Sequence, residues 1–371
     1  MSNPSKQSNA KYHVMLTLLV ISWGLEYSVA KDALNVINST TMITFKYAIG
    51  AGCMAVVLLC TSGFQKIRRQ DLPMFILCAI FGQVMYFFCE YRAMATIPVA
   101  VITIVLGFVP ILSIIVERIL YRHRSSPFLV ICMFICVAGI ILTIGADFSL
   151  LTGGSGIGYL FTVGALVAWV IYNFLTGHVS GKYPPVLVAF YQMGIACLLT
   201  LPYSLFHLPA AAQIDTRVVL EILYLGAVSA GFGFLVEVIG IQKLGPTTAS
   251  VYSNFLPVTT AFFGVILLGQ ELTVLQILGG VIVIVAGLFV IREKAHLDFL
   301  RDLGQKQQQD SGRNSAPPDD EAIGSAKAAA QPLTDTAAQE ARREEAAAVR
   351  RPMESTGAAD SNSEERTAPK D

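Results

Sequence analysis

The sequence predicts an all-α integral membrane protein, with ten transmembrane helices arranged as two inverted five-helix repeats and a disordered C-terminal tail. Three observations support this fold class. Apolar stretches of membrane-spanning length fill most of the first 292 positions, and roughly 20 apolar residues cross a hydrocarbon core as a helix. Lys and Arg collect in alternate loops. Several residues recur at a nearly constant offset between the two halves.

These stretches favour helices over the strands of a barrel. A backbone amide in lipid must find a hydrogen-bond partner, and a helix satisfies its amides within one segment. Barrel strands are about half as long and alternate polar with apolar residues. The continuous apolar runs of this chain lack that alternation, so the sequence excludes both a barrel and a soluble globular domain.

Ten spans follow from the apolar runs and from the Pro and Gly residues that separate them. Residues 1–11 form a short, polar and basic segment. The apolar run that follows is too long for the apolar core of a signal peptide. The predicted spans are 12–32, 39–61, 71–93, 97–118, 127–144, 156–176, 185–205, 217–240, 246–268 and 273–292.

The loop charges predict the orientation. With the N-terminus inside, twelve Lys and Arg lie in inner segments and only three, Lys31, Arg92 and Arg217, lie in outer segments. Lys and Arg accumulate in cytoplasmic loops. We therefore expect both termini, including residues 1–11, to be cytoplasmic, in a multi-pass protein of the cell inner membrane.

The two halves of the chain echo each other. The offsets lie between 146 and 148 residues for the following pairs: Trp23 and Trp169, Pro98 and Pro246, Pro110 and Pro257, Glu90 and Glu237, Gly139 and Gly287. Five helices per half is an odd number, so the second half enters the membrane from the opposite side. We expect one repeat over 12–144 and its inverted copy over 156–292.

The C-terminal tail differs sharply from this membrane body. Residues 296–371 carry ten Lys and Arg against fifteen Asp and Glu, with few large apolar side chains. Such a segment buries too little apolar surface to offset its conformational entropy. The composition predicts a disordered cytoplasmic tail, in which Leu297, Leu300 and Leu303 could extend the last helix by a turn or two.

Trp23-Gly24 is followed by Lys31, and the stretches 257–273 and 278–287 lie at the last two predicted spans. These motifs are similar to the first-helix signature and to the ends of the ninth and tenth helices in the EamA-type branch of the drug/metabolite transporter superfamily. Gln270 departs from the pattern by preceding the acidic residue. The resemblance covers residues 12–292 and implies a two-repeat transporter of amino acids, other metabolites or drugs across the bacterial inner membrane.

Ionisable residues within the spans are candidates for the substrate site, because a charge in the hydrocarbon region is costly and usually lines a cavity or has a partner. Glu26, on the same helix face as Trp23, is a candidate for substrate binding or proton coupling, and its alternative is an ion pair with Lys46 or Lys31. Glu90 is a cavity candidate or part of an interfacial network with Arg92. Glu237 either reaches the cavity or extends toward the cytoplasm.

Aromatic and amide side chains complete the predicted site. Buried amides need polar partners, and the repeat places the cavity between the halves. The predicted substrate-binding residues are Trp23, Glu26, Tyr86, Glu90, Trp169, Tyr172, Asn173, Glu237, Tyr252 and Asn254. Pro110 and Pro257 each free a carbonyl in a helix and are candidate gating hinges.

The sequence gives no support for an enzyme. The five histidines are scattered at helix ends and loops, and neither a nucleotide-binding loop nor a metal-ligand run is present, so no cofactor, metal or nucleic acid is expected. The expected partners are a small-molecule substrate, the lipid bilayer and protons as a hypothesis. We predict an alternating-access exporter. The alternatives are an uncoupled facilitator and a non-transporting scaffold or sensor acting through its tail.

Overall fold

The computed structural model describes residues 4–61, 63–121, 126–143, 156–210, 214–268 and 271–314. Within these residues the regular structure is helical and includes no strand. The chain divides into two compact units, residues 1–299 and residues 300–371. Of the second unit, the structure describes residues 300–314, which are helical.

Fourteen α-helices, two π-helical segments and one 3₁₀ turn make up the described chain. In order they are α1 (Pro4–Ala33), α2 (Ser39–Cys60), α3 (Leu72–Cys78), a first π segment (Ala79–Met85), α4 (Tyr86–Met94), α5 (Val99–Leu106), α6 (Val109–Tyr121), α7 (Pro127–Thr143), α8 (Gly156–Ser180), α9 (Pro185–Phe206), α10 (Thr216–Leu223), a second π segment (Tyr224–Phe232), α11 (Gly233–Leu244), α12 (Pro246–Val251), a 3₁₀ turn (Tyr252–Phe255), α13 (Leu256–Leu268) and α14 (Val274–Asn314).

Nine helical stretches of the described chain are long and apolar enough to cross a membrane. They correspond to nine of the ten predicted spans. The fifth predicted span, 127–144, is the shorter apolar helix Pro127–Thr143, and the residues after it, 144–155, lie outside the described ranges. The protein is therefore a multi-pass membrane protein, and a tenth crossing stays a prediction.

The outer surface of the bundle is apolar, as a lipid-facing surface must be. Large side chains that would be buried in a soluble protein are exposed on many helices, among them Leu59, Ile119, Leu160, Phe206 and Val274. Soluble proteins rarely expose apolar patches beyond a few hundred Å². This surface suits hydrocarbon, whereas Glu26, Lys46, Glu90 and Glu237 are buried inside the bundle.

Prolines explain why the fourth and ninth spans are interrupted. A proline ring clashes with the carbonyl four residues before it and provides no N–H. The residue four before Pro110 is Leu106, at which α5 ends, and the residue four before Pro257 is Ser253, within the 3₁₀ turn. Each predicted hinge thus follows a real break in its helix, and a gating role for these prolines stays a prediction.

The third and eighth spans each contain a π segment, which sequence periodicity did not predict. The segments Ala79–Met85 and Tyr224–Phe232 occupy matching places, one turn or so before Glu90 and Glu237. A π turn adds a residue to the helical repeat and is frequent at functional sites. Here it shifts the helix face that the following carboxylate presents.

Helices of the first half pair reciprocally with helices of the second half. The first helix of the chain, α1, packs against α11 and α13, which belong to the eighth and ninth spans. Its counterpart in the second half, α8, packs against α4 and α5, which belong to the third and fourth spans. The second and seventh spans, α2 and α9, pack against each other. The interface between the halves is therefore built from matching pairs.

Close helix contacts depend on glycine. A Cβ at Gly82 would overlap the ring of Tyr172, and a Cβ at Gly279 would overlap the backbone of α7 at Gly139 and Thr143. Small residues allow membrane helices to approach each other this closely. Gly279 of the sequence pattern thus allows α14 to pack against α7, whereas Gly280 faces Val258 of α13.

A polar contact joins the loop before α3 to the loop after α8. Tyr183 donates to Asp71 with an Oη–Oδ2 distance of 2.6 Å, and Lys182 donates with an Nζ–Oδ1 distance of 3.0 Å. The hydrogen bond from the Tyr183 hydroxyl lowers the pKa of the Asp71 carboxyl below its usual range, and the hydrogen bond from the Lys182 ammonium adds a smaller lowering. The contact links the two halves outside the spans.

The last helix extends further than predicted. A disordered tail was expected from residue 296, with the last helix reaching a turn or two into it, and α14 continues to Asn314. Residues 295–308 are mostly Ala, Leu, Lys, Arg, Gln and Asp, with one Gly and no Pro, and most of these types favour a helix that has already begun. The remainder of the predicted tail, residues 315–371, lies outside the described residues.

Candidate functional site

A cavity opens between the first, third, sixth and ninth spans, inside the membrane-embedded part of the bundle. In this conformation the space open to a water-sized sphere is about 20 Å³, room for about one water molecule. The lining residues are Trp23, Glu26, Tyr27, Tyr86, Phe87, Glu90, Met94, Trp169 and Leu256. Five of these nine side chains are aromatic and two are carboxylates, so the cavity combines an apolar wall with concentrated negative charge.

Glu26 is held by a buried ion pair. The Lys46 ammonium of α2 donates to its Oε1, and the Ser229 hydroxyl of the second π segment donates to its Oε2. The Lys46 side chain is 0% exposed, and its Nζ lies 3.6 Å from the centre of the Phe87 ring. Glu26 therefore both lines the cavity and pairs with Lys46, so the two alternatives predicted for it coexist.

Glu90 has hydroxyl partners instead of a cation. Tyr27 and Tyr86 both donate to its Oε1, at oxygen–oxygen distances of 2.8 and 2.7 Å. The residue is 3% exposed. Within the described part of the chain, Glu90 forms no ion pair with Arg92 or with any other cation. The predicted interfacial Glu–Arg network is absent there, because Arg92 lies on the exposed side of α4.

Two tryptophans form the aromatic wall where the halves meet. The rings of Trp23 and Trp169 contact edge to face with centroids 5.6 Å apart, and Tyr86 lies 4.7 Å from Trp169. The Trp23 indole donates to the Ser229 carbonyl at 3.2 Å. Since buried Trp N–H groups need a partner, this bond fixes the ring that faces the cavity.

Glu237 is buried but does not line the cavity. With the Asn173 amide oriented to satisfy its neighbours, that amide donates to Glu237 Oε1 at 3.2 Å and accepts from the Trp169 indole at 3.2 Å. Glu237 is 3% exposed. Glu237 therefore neither reaches the cavity nor extends toward the cytoplasm, because Asn173 and the packed helices around α11 enclose it.

Three more predicted site residues lie away from the cavity. Tyr172 packs behind Trp169, with ring centroids 5.1 Å apart, and its hydroxyl lies 3.4 Å from Gln192 Oε1. Tyr252 bonds to His13 with an oxygen–nitrogen distance of 2.7 Å, and Asn254 is buried. The 3₁₀ turn that holds Tyr252 and Asn254 has a tighter repeat than an α-helix, so these residues do not share the face that Leu256 presents.

The structure thus brings together five of the ten predicted residues: Trp23, Glu26, Tyr86, Glu90 and Trp169. Sequence reasoning did not single out Tyr27, Phe87, Met94 or Leu256. Helical spacing carried a signal for three of them, because Tyr27 follows Trp23 by four residues, Phe87 precedes Glu90 by three and Met94 follows Glu90 by four. No local pattern identifies Ser229, which reaches Glu26 from another span.

This arrangement is suited to binding a cation. Carboxylates attract positive charge, and the aromatic faces beside them add to that attraction. In the described ranges, no group of three His, Cys, Asp or Glu residues could hold a metal ion.

Comparison with protein families gives a match in each half. A model described as the EamA-like transporter family matches residues 10–145 and, a second time, residues 156–292. The two matched segments begin 146 residues apart and end 147 residues apart, as the offsets within the sequence do. A solved crystal structure has the same fold, with a TM-score of 0.63 at 18% identity over 76% of this chain and 97% of the other.

Curated relatives are similar along almost their whole length. An uncharacterized transporter of Archaeoglobus fulgidus is 24% identical, covering 76% of this chain and 100% of that protein. A probable terminal-alkyne amino-acid exporter of Streptantibioticus cattleyicolor is 22% identical, covering 78% and 95%. A probable amino-acid metabolite efflux pump of Salmonella typhimurium is 21% identical, covering 74% and 92%.

Proposed function

Because this chain belongs to the EamA-like transporter family, we propose that it is a secondary transporter that exports a small amino-acid-like metabolite by alternating access. Transport of a small molecule across a membrane follows from the family and from the multi-pass fold. Export and the amino-acid class are suggested by the names of the relatives from Streptantibioticus and Salmonella. Membership of a transporter family also argues against an enzyme.

One observation carries the proposal: the cavity with two buried carboxylates lies between the halves. Glu26 and Tyr27 come from the first half, as do Tyr86 and Glu90, whereas Trp169 and Leu256 come from the second. Ionisable residues within membrane spans are retained where they line a pathway or hold a substrate. A site between two repeats is also where a rocking motion changes its access.

The reciprocal pairing of helices supports the inverted repeats that alternating access requires. Each half contributes its first helix to the third and fourth spans of the other half, which is the contact pattern of a two-fold relation. Five helices per half would invert the second copy. The asymmetry of loop charges supports a location of both termini in the cytoplasm, as proposed for a protein of the cell inner membrane. The repeats are proposed to span residues 12–144 and 156–292.

Flux into proteoliposomes tests this function. The full-length protein, reconstituted with a panel of unlabelled amino acids and amines inside, should take up the matching labelled compound by counterflow. Protein-free liposomes and liposomes with an unrelated membrane protein are the controls. If no compound of the panel exchanges while the protein stays folded in the bilayer, export of amino-acid-like metabolites is contradicted.

Two further arms separate the remaining alternatives. Deleting residues 315–371 should leave flux intact in a transporter and abolish function in a tail-dependent scaffold. Collapsing the proton gradient should slow concentrative transport by a coupled carrier, whereas an uncoupled facilitator would equilibrate its substrate equally fast in both conditions.

A further inference from the structure

The cavity is one positive charge short. It contains two carboxylates, Glu26 and Glu90, and Lys46 is the single ammonium that pairs with either of them among the described residues. That ammonium is used by Glu26, which also accepts from Ser229. Glu90 has only the neutral hydroxyls of two tyrosines. A buried, unpaired carboxylate is costly, so Glu90 needs either a proton or a cation from outside.

The surroundings of Lys46 show what this interior offers an ammonium group. The Lys46 ammonium contacts a carboxylate and lies 3.6 Å from the centre of the Phe87 ring. The free space beside Glu90 repeats that combination, with a carboxylate, the hydroxyls of Tyr27 and Tyr86 and the rings of Trp23 and Trp169. Aromatic faces attract a desolvated ammonium group more strongly than one that stays in water.

We propose that Glu90 binds the ammonium group of the substrate and exchanges it for a proton. The substrate class is a small organic ammonium compound, either an amine or an amino acid. The protonated carboxyl loses its proton to water as the ammonium binds, so that one carboxylate–ammonium pair forms and one proton is released. The inference deepens the proposed transport function and rests on it for its biological use, although binding itself requires no transport.

Glu90, and not Glu26, is the exchanging group because of what faces it. The side chains around Glu90 that carry or could carry charge are Glu26, Tyr27, Lys46, Tyr47, Tyr86 and Tyr91. Lys46 is the single cation in this set, and it is bonded to Glu26. From the helices packed on α4, α8 presents Trp169 and α5 contains no titratable residue. A cation that binds in the cavity therefore compensates Glu90.

The chain contains its own reporter of binding. It has two tryptophans, and both line the cavity beside Glu90. Tryptophan fluorescence of the purified full-length protein therefore reports on this site without background. The probes are L-leucinamide, which carries one ammonium, isocaproamide, which has the same skeleton without it, and L-leucine. A pH-indicator dye in weakly buffered detergent solution counts released protons.

L-Leucinamide and L-leucine should change the tryptophan fluorescence and release about one proton per protein, whereas isocaproamide should do neither. Below the titration point of Glu90, the apparent affinity should fall by about tenfold for each pH unit. Glu90→Gln should weaken leucinamide binding by at least about tenfold and abolish proton release. The matched Glu271→Gln substitution, in an exposed loop, should bind as the wild type does.

Several results would overturn the assignment. Equal responses to leucinamide and isocaproamide would do so, as would no response to any ammonium probe, or wild-type proton release in Glu90→Gln. Should Glu90→Gln not fold, Tyr86→Phe and the proton count of the wild type still decide the matter, because Tyr86→Phe should weaken binding. Binding with proton release but without flux in liposomes would contradict the transport function and leave the site assignment intact.

Discussion

The two halves of the molecule place equivalent residues in equivalent contacts but give them different chemistry. The 146- and 147-residue offsets of the family match pair Trp23 with Trp169 and Phe87 with Phe234. Members of each pair touch each other, with ring centroids 5.6 and 6.0 Å apart. Under the proposed two-fold relation of the repeats, residues that meet their own counterparts lie close to its axis, and these rings mark the interface of the halves.

Away from that axis the chemistry diverges. The first half has the ion pair Glu26–Lys46, and the same offset leads to Tyr172 and Gln192, which form a neutral contact at 3.4 Å. Tyr27 donates to Glu90 at 2.8 Å, and the counterpart of this bond is the Asn173 amide donating to Glu237 at 3.2 Å. The contact geometry is thus retained while charge is concentrated in the first half.

The cavity follows this difference. It opens beside Glu26 and Glu90, whereas in the second half the Tyr172 ring packs against Gly82. The comparison teaches that a duplicated scaffold fixes where polar groups can meet, and that the side chains then decide the chemistry at each of two equivalent places.

Removing Lys46 should produce the largest difference between the halves. Lys46→Met leaves the buried Glu26 carboxylate without its cation and should cost about 3–5 kcal/mol of stability. Gln192→Met, at the equivalent position, breaks neutral hydrogen bonds and should cost about 1–3 kcal/mol. Unfolding by denaturing detergent measures both, and the double variant Glu26→Gln/Lys46→Met should recover much of the loss. Equal stabilities of the two single variants would contradict the contrast in chemistry.

Adding a methyl group at Gly82 should have the next largest effect on stability. An added methyl group overlaps the Tyr172 ring, and overpacking a tight contact costs about 1–3 kcal/mol. Gly52→Ala is the control, because no atom lies within 4 Å of its added Cβ, and it should change the stability by less than about 0.5 kcal/mol. Thermal unfolding of the purified variants decides. Similar melting temperatures for the two variants would mean that this packing is not tight in solution.

The two equivalent carboxylates should differ in ligand binding. Glu90→Gln should weaken the binding of L-leucinamide by at least about tenfold, or about 1.4 kcal/mol, since Glu90 lines the cavity. Glu237→Gln should weaken it by less than about threefold, because Asn173 and packed helices separate Glu237 from the cavity. Tryptophan fluorescence titrations give both values. A larger loss in Glu237→Gln would place the binding site in the second half.

The smallest effect concerns pH and the loop contact that joins the halves. Tyr183 and Lys182 lower the pKa of Asp71, so its contribution to stability is complete above the pKa of the unfolded chain and disappears as the pH falls through the lowered native value. Asp71→Asn should therefore remove part of the acid dependence of the melting temperature while changing it little at neutral pH. An unchanged acid profile in that variant would show that the contact contributes no pH-dependent stability.

Hydropathy was sufficient to predict most of this fold, because membrane helices can be recognised in a sequence by their length and apolar composition. Nine predicted spans have helical counterparts of spanning length, and Trp23 and Glu26 were identified as cavity residues through their shared helix face. The π segments were missed, since an inserted residue leaves no compositional signal. Tyr252 was misplaced for a related reason: a 3₁₀ turn moves it off the helix face that simple periodicity assigns.

The side-chain contacts between different spans were harder to predict from the sequence. The sequence named Lys46 as one of two partners of Glu26, but nothing in the local pattern distinguishes it from Lys31. Ser229 approaches Glu26 from a position 203 residues away, and Asn173 reaches Glu237 from another span. Such contacts depend on how helices cross, which hydropathy does not encode.

The presence of one ammonium for two carboxylates has an electrical consequence. If Glu90 carries a proton in one direction and a monovalent amine in the other, the cycle moves no net charge and the membrane voltage does not act on it. An amino-acid zwitterion has no net charge, so its exchange for the same proton would move one elementary charge across the membrane, worth about 2.3 kcal/mol per 100 mV. Amines and amino acids would then respond differently to voltage at the same glutamate.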